Sequence, residues 1–313
     1  MLGHSDAALG TLLLTSRMVD VEAPAFSPKE YWRLIRLVES PARLFGIDAP
    51  ELVSTFELSP DDAARILGRL GGATQLAFEL ERLYQQGYRI LTPYDEEYPR
   101  RLMDRLGDQA PPVVTTVGSV PLLGSDAVGL VGSRNATDEA IEVTERVAIA
   151  AAERGLTVVS GGAKGIDQRS MAAAYQAGGN VAGWLAESME KRLMDAETRR
   201  VVADGRVCLV TPFKPDAGFS VANAMGRNKL IYASAAVTLV VASDSGKGGT
   251  WEGAIESLRA GYGRVAVWMG RGAGPGNEAL SARGASAMTS VDEFFDLSAD
   301  VATPERPQLS LDI

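Results

Sequence analysis

Four segments of this sequence pair glycine with a cation or a hydroxyl in spacings suited to holding phosphate. The first, Gly132-Ser133-Arg134-Asn135-Ala136-Thr137-Asp138, follows an apolar run and leads into a helical pattern from Asp138 to about Glu153. Glycine lets a backbone come close, a helix N-terminus offers unpaired N–H groups to an anion, and Arg134 is free to pair with a phosphate. The second, Ser160-Gly161-Gly162-Ala163-Lys164-Gly165-Ile166-Asp167, repeats the arrangement after another apolar run. Two such loops on neighbouring strands would form a composite anion cradle; the plainer alternative is that the glycines only close tight turns. The third is Phe219 to Lys229, with Gly226-Arg227-Asn228-Lys229 near its end. The fourth is Ser245-Gly246-Lys247-Gly248-Gly249-Thr250-Trp251-Glu252, whose backbone N–H groups could wrap a phosphate. Glu252 falls in the first turn of the helix that follows, either as a ligand or as an ordinary dipole-matching carboxylate. The spacing G-x-x-x-x-G-K-[ST] is absent, so nucleotide hydrolysis of the P-loop kind has no support.

Other chemistries are excluded by what the chain lacks. Its one histidine, His4, lies in a terminus expected to fray, and its one cysteine, Cys208, sits in the apolar run Val207 to Val210. Histidine triads, zinc sites and disulfides are therefore not expected, and neither is a metal or a cofactor. A net charge of −9 argues against nonspecific adhesion to nucleic acid, so any such binding must use a local basic patch. No apolar run reaches bilayer length and no signal peptide is evident, which places the protein in the cytoplasm and off the membrane.

The elements that must position these loops follow from periodicity. Residues 1–86 show helical stripes, with Tyr31, Leu34, Ile35 and Val38 in one and Ile66, Leu67 and Leu70 in another. Ser59-Pro60-Asp61-Asp62 starts a helix, and breaks at Pro41, Pro50 and Gly71-Gly72 imply a small all-α domain of the SAM or helix-hairpin-helix kind. Its acidic residues Asp61, Asp62, Glu79 and Glu81 suit a structural role better than DNA contact. Residues 87–125 read as a strand, a turn and an extended linker packing on the core. From 126 to 298, six β-rich runs alternate with helical stretches: Val128–Val131, Thr157–Val159, Val181–Leu185, Val207–Val210, Val237–Val241 and Val265–Trp268. This predicts an α/β fold, an extended Rossmann-like and mainly parallel sheet with helices on both faces. Ligands of such sheets bind beyond the carboxyl ends of the strands, where the four loops fall. From Ala299 to Ile313 the chain is expected to be a flexible tail.

Taken in order, Val131-Gly132-Ser133-Arg134, Ser160-Gly161-Gly162-Ala163-x-Gly165-Ile166-Asp167, Arg227-Asn228 and Ser245-Gly246 resemble the DNA-processing protein A (DprA/Smf) family. The likeness reaches upstream to Gly87-Tyr88-Arg89-Ile90-Leu91, Asp95 and Tyr98-Pro99, and downstream to Gly276-Asn277-Glu278 and Gly284-Ala285. It implies a small helical N-terminal domain, an extended Rossmann domain, binding of single-stranded DNA, a homodimer, and loading of RecA on DNA during natural transformation. Carried over, it gives Arg134, Lys164, Arg227 and Lys229 contacts to the DNA backbone. Three departures stand out. Met171 occupies a position where the family usually has histidine, only a short tail follows residue 297 in place of a winged-helix domain, and the run Lys247 to Glu252 looks more like the Gly-Gly-x-Gly-Thr-x-x-Glu signature of LOG-like nucleoside-monophosphate phosphoribohydrolases. Under that alternative of nucleotide binding, Arg227 would hold a 5′-phosphate and Glu252 would stabilise an oxocarbenium-like transition state.

In the tail, Gln308-Leu309-Ser310-Leu311-Asp312-Ile313 resembles the short peptide with which bacterial polymerases and repair proteins bind the sliding clamp. Gln308, Leu311 and Ile313 would enter the partner's pocket; a solvated tail is the plainer reading.

Overall fold

Serine and aspartate caps followed by proline set the helix starts of the N-terminal part. Ser27 closes a capping box with Glu30 ahead of Pro28, Asp48 caps a helix with Pro50 in its first turn, and Ser59 caps a helix opened by Pro60. The computed structural model describes residues 3–299. Its helices are α1 Asp6–Thr15, α2 Pro28–Val38, α3 Ala49–Phe56, α4 Pro60–Leu70, α5 Ala73–Gln85, α6 Arg100–Leu106, α7 Asp138–Glu153, α8 Ile166–Gln176, α9 Met189–Met194, α10 Ala196–Ala203, α11 Val221–Ser234, α12 Gly249–Ala260, α13 Asn277–Ser281 and α14 Val291–Ala299. The first five make the helical region. Tyr31, Leu34, Ile35, Val38 and Ile66 turn inward, and the buried Arg69 donates to the carbonyls of Leu13 (2.8 Å), Ser16 (2.6 Å) and Ala23 (3.4 Å). Charge-assisted bonds of this kind compensate the burial of a guanidinium.

The nine strands are β1 Arg89–Leu91, β2 Val114–Gly118, β3 Ala127–Val131, β4 Thr157–Ser160, β5 Val181–Trp184, β6 Val207–Thr211, β7 Val237–Val240, β8 Arg264–Trp268 and β9 Ser286–Met288. They form one sheet in the order β1-β2-β6-β5-β4-β3-β7-β8-β9. The six expected strands, together with β9, pair in parallel, whereas β1–β2 and β2–β6 are antiparallel. Residues 87–125 therefore do more than pack on the core: they lengthen the sheet by two strands. β1 was expected as a strand; β2, masked by the Pro111-Pro112 pair before it and read as linker, and β9, only three residues long, were not.

Parallel strands covered on both faces read as unbroken apolar runs, and β3, β4 and β6 are buried throughout. Along β3, Val128 and Leu130 join the core with α7, α8 and α14, while Ala127 and Val131 join the core with α6, α11 and α12. The chain leaves β3 toward β4, β5 and β6, then returns to its other side as β7. That reversal is the topological switch point at which open sheets bind ligands, and Val131 pairs with Val240 there, so the loops after β3 and β7 emerge together. The helical region is continuous with this core through Leu12, Leu76 and Leu83, and Trp32 Nε1 donates to the Ala110 carbonyl at 2.8 Å. His4 is not frayed as expected: its side chain is 8% exposed, bonded to the Tyr84 hydroxyl and 3.6 Å from the Asp95 carboxylate.

Candidate nucleic-acid interface

The loop after β3 is fastened on both sides by its own backbone. Ser133 N donates to the Ala242 carbonyl beyond β7 at 2.9 Å, and Ile166 N, opening α8, donates to the Ser133 carbonyl at 3.4 Å. Thr137 then caps α7, accepting from Ala140 N at 3.3 Å. The glycines permit this closeness. A Cβ on Gly132 would stand 2.6 Å from Ile166 Cγ1, and one on Gly165, whose φ is +80°, would strike the Ser133 carbonyl. Beyond β4, a Cβ on Gly161 would fall inside the Arg227 guanidinium. Packing of the chain on itself thus accounts for Gly132, Gly161 and Gly165, the plainer of the two readings.

Arg227 and Asp167 occupy the place expected for a ligand's phosphate. Arg227 is 4% exposed, and its Nη1 donates to the Trp184 carbonyl at the end of β5 at 2.8 Å. Asp167, in the first turn of α8, is 6% exposed. Burial pushes its carboxyl up to about 6, against the pull of Arg227 and of the Ala163, Gly132 and Gly161 amides that turn toward it. Burial likewise lowers the pKa of Arg227, and Asp167 opposes that shift. Two calls need correction here. The amides of Gly132 and Gly161 lie beside the chain's own carboxylate, and Arg227 is buried against Gly161 and the Trp184 carbonyl rather than an open phosphate contact.

Lys229 is likewise not brought to the loops. Two positions along a helix turn a side chain by about 200°, so when Arg227 faces β4 and β5, Lys229 faces elsewhere. It donates to Gln109 Oε1 at 3.0 Å, and Gln109 in turn donates to the Tyr262 hydroxyl at 3.0 Å. Asn228, between them, donates to the Gly249 carbonyl at 3.0 Å and joins α11 to the start of α12. Among the described residues no ion pair or hydrogen bond links Arg227 to Glu252, which is exposed on α12.

What remains open at the strand ends is a rim of exposed side chains. Arg134 and Lys164 are exposed on the loops after β3 and β4, and Ser245, Gly246, Lys247, Gly248 and Gly249 on the loop after β7, with Thr250 partly covered. Gly246 and Gly248 hold φ of +72° and +90°, and Gly248 starts α12 with no side-chain cap. Lining the carbonyl side of Gly162, Arg192 donates to it at 2.9 Å while paired with Glu187 at 2.7 Å.

Three positions around these loops escaped the residue-by-residue reading. Phe219, 52% exposed, lies under the Arg134 guanidinium, 5.4 Å from its ring centre. Asp167 ended a quoted motif but was assigned no role. Buried Asn277 fixes the loop after β7 by donating to the carbonyls of Val241 (2.8 Å) and Trp268 (2.7 Å) and accepting from Ser243 N (2.9 Å). A glycine before an aromatic in a loop signalled the first; tertiary pairing, which sequence does not display, decided the others. Gln308, Leu311 and Ile313 lie outside the described residues.

Comparison with known proteins adds a family match. The family model described as DNA recombination-mediator protein A matches residues 89–298. Protein Smf of Synechocystis sp. is 28% identical over 187 residues, covering 56% of this chain and 45% of that protein. Among solved structures, DNA processing protein A of Streptococcus pneumoniae superposes with a TM-score of 0.72 at 19% identity, over 94% of this chain and 98% of that one. DNA processing protein A of Helicobacter pylori, whose single-stranded DNA binding mode that structure addresses, gives a TM-score of 0.56 at 20% identity, over 68% and 96%. These likenesses show a common fold. The chain spans 45% to 65% of the length of the curated relatives it matches.

Proposed function

The chain belongs to the DNA recombination-mediator protein A family, DprA/Smf, and from that premise we propose that it binds single-stranded DNA along the exposed rim at the carboxyl ends of β3, β4 and β7. The observation that carries the reading is Arg134 resting over the exposed Phe219 ring. A guanidinium beside an open aromatic face offers a strand both a phosphate partner and a platform for a base. Lys164 and Lys247 extend the cationic rim, which meets the need for a local patch on a chain of net charge −9. Homodimerisation and delivery of RecA to the bound strand during natural transformation belong to the same proposal and rest on family membership. So does a cytoplasmic location; no described helix is long and apolar enough to cross a membrane.

With about three phosphates neutralised, log K should fall with log salt at a slope near −2, roughly twentyfold between 50 and 200 mM. Fluorescence anisotropy with a labelled oligothymidylate checks this, and absence of binding at 50 mM salt overturns the reading. The nucleotide-hydrolysing alternative needs Arg227 and Glu252 on one ligand, whereas Arg227 is engaged by Trp184 and Asp167.

The sequence Gln308 to Ile313 is proposed as a sliding-clamp peptide on its residue pattern alone. Deleting residues 308–313 is expected to abolish retention of purified clamp on the immobilised protein, and undiminished retention removes the assignment.

A further inference from the structure

One carboxylate ties together the ends of three elements at this rim. The Asp167 carboxylate at the start of α8 and the Arg227 guanidinium of α11 both stand against Gly161 after β4, and the amides of Ala163, Gly132 and Gly161 favour the ionised carboxylate against its burial. The Arg227 Nε is buried without a partner, so the guanidinium is only partly satisfied by the Trp184 carbonyl. The other charged or titratable groups around the pair are Arg134 after β3, Glu187 after β5 and the buried Tyr232 of α11. An anion at a helix N-terminus is ordinarily a ligand; here the chain supplies it.

We propose that Asp167 is the resident anion of the strand-end cradle and a positioning residue for nucleic-acid binding: ionised, it neutralises Arg227 and holds the loops after β3 and β4 to itself, and protonated, it releases those amides and leaves the charge of Arg227 to draw phosphate to the rim. The proposal rests on the single-stranded DNA reading above. Because burial pushes the carboxyl up to about 6, the change falls in a mildly acidic range. A folded-state value above the ordinary 3.8 means that the native protein holds this proton more tightly than the unfolded chain. Stability contributed by the proton is therefore complete below about pH 4 and is lost as pH rises through about 6.

A unit charge about 12 Å from a phosphate, at an effective dielectric near 20, changes affinity roughly tenfold. The wild-type protein should bind oligothymidylate about tenfold more tightly at pH 5.5 than at pH 7.5, at constant ionic strength. Asp167→Asn should bind about tenfold more tightly than wild type at pH 7.5 and lose that step. Equal pH slopes in the two proteins overturn the proposal. If wild type binds no DNA at any pH, the DNA reading fails, and melting curves without DNA decide the titration by themselves. The wild-type Tm should then fall relative to that of Asp167→Asn between pH 4.5 and 7, and parallel curves overturn it. Should Asp167→Asn not fold, Arg227→Gln removes the cation that lowers the Asp167 pKa, so the affinity step should move to higher pH; an unmoved step overturns the proposal.

Discussion

Replacing Arg134 and Phe219 together by alanine is expected to lower affinity for a single-stranded oligonucleotide about a hundredfold while leaving the melting temperature unchanged. Stacking of a base on an aromatic ring is worth roughly 1–3 kcal/mol, so Phe219→Ala alone should cost about twentyfold. Arg134→Ala should cost a similar factor and make the salt slope shallower by about 0.7, the share of one phosphate on a single strand. Because guanidinium and ring touch, the two losses should fall short of multiplying, and a double-mutant cycle measures that coupling. Both side chains are exposed, so stability is not at stake. Anisotropy titrations at two salt concentrations read every arm. An unchanged Kd in the double variant would sink the interface as described.

The second large effect concerns folding. Gly161→Ala drives a methyl group into the Arg227 guanidinium and crowds the Asp167 carboxylate, both buried. Overpacking costs about 1–3 kcal/mol, and displacing the buried guanidinium from the Trp184 carbonyl adds about 1.5–3 kcal/mol. A loss of about 4 kcal/mol, near 10 °C in Tm for a chain of this size, is the expected outcome by circular dichroism. Gly246→Ala is the control: it carries a φ of +72° with open space around it, so its cost is backbone strain of roughly 1 kcal/mol. Equal Tm values for the two variants would contradict the placement of Arg227 beneath Gly161.

Much of the frame was legible because its physics is local. The six parallel strands announced themselves as apolar runs, since burial on both faces leaves no polar alternation, and Ser59 marked a helix start through capping chemistry that acts over three residues. The glycine loops were located correctly as well. What they hold was not, because glycine reports only that something comes close, and at Gly132, Gly161 and Gly165 that something is the chain itself. Arg227 and Lys229 looked like a pair of phosphate contacts in sequence; helical geometry sends one to Trp184 and the other to Gln109. Phe219 acquired meaning only when a loop from a distant strand placed Arg134 on it.

The two margins of the sheet carry a consequence for how the protein behaves in a crowd. β1 and β9 each offer only three residues of backbone along their outer sides. At high concentration a long bare margin would invite strand-to-strand adhesion between neighbouring copies. Stubby margins give such adhesion little purchase, so crowded copies resist gelling into an amyloid-like mass.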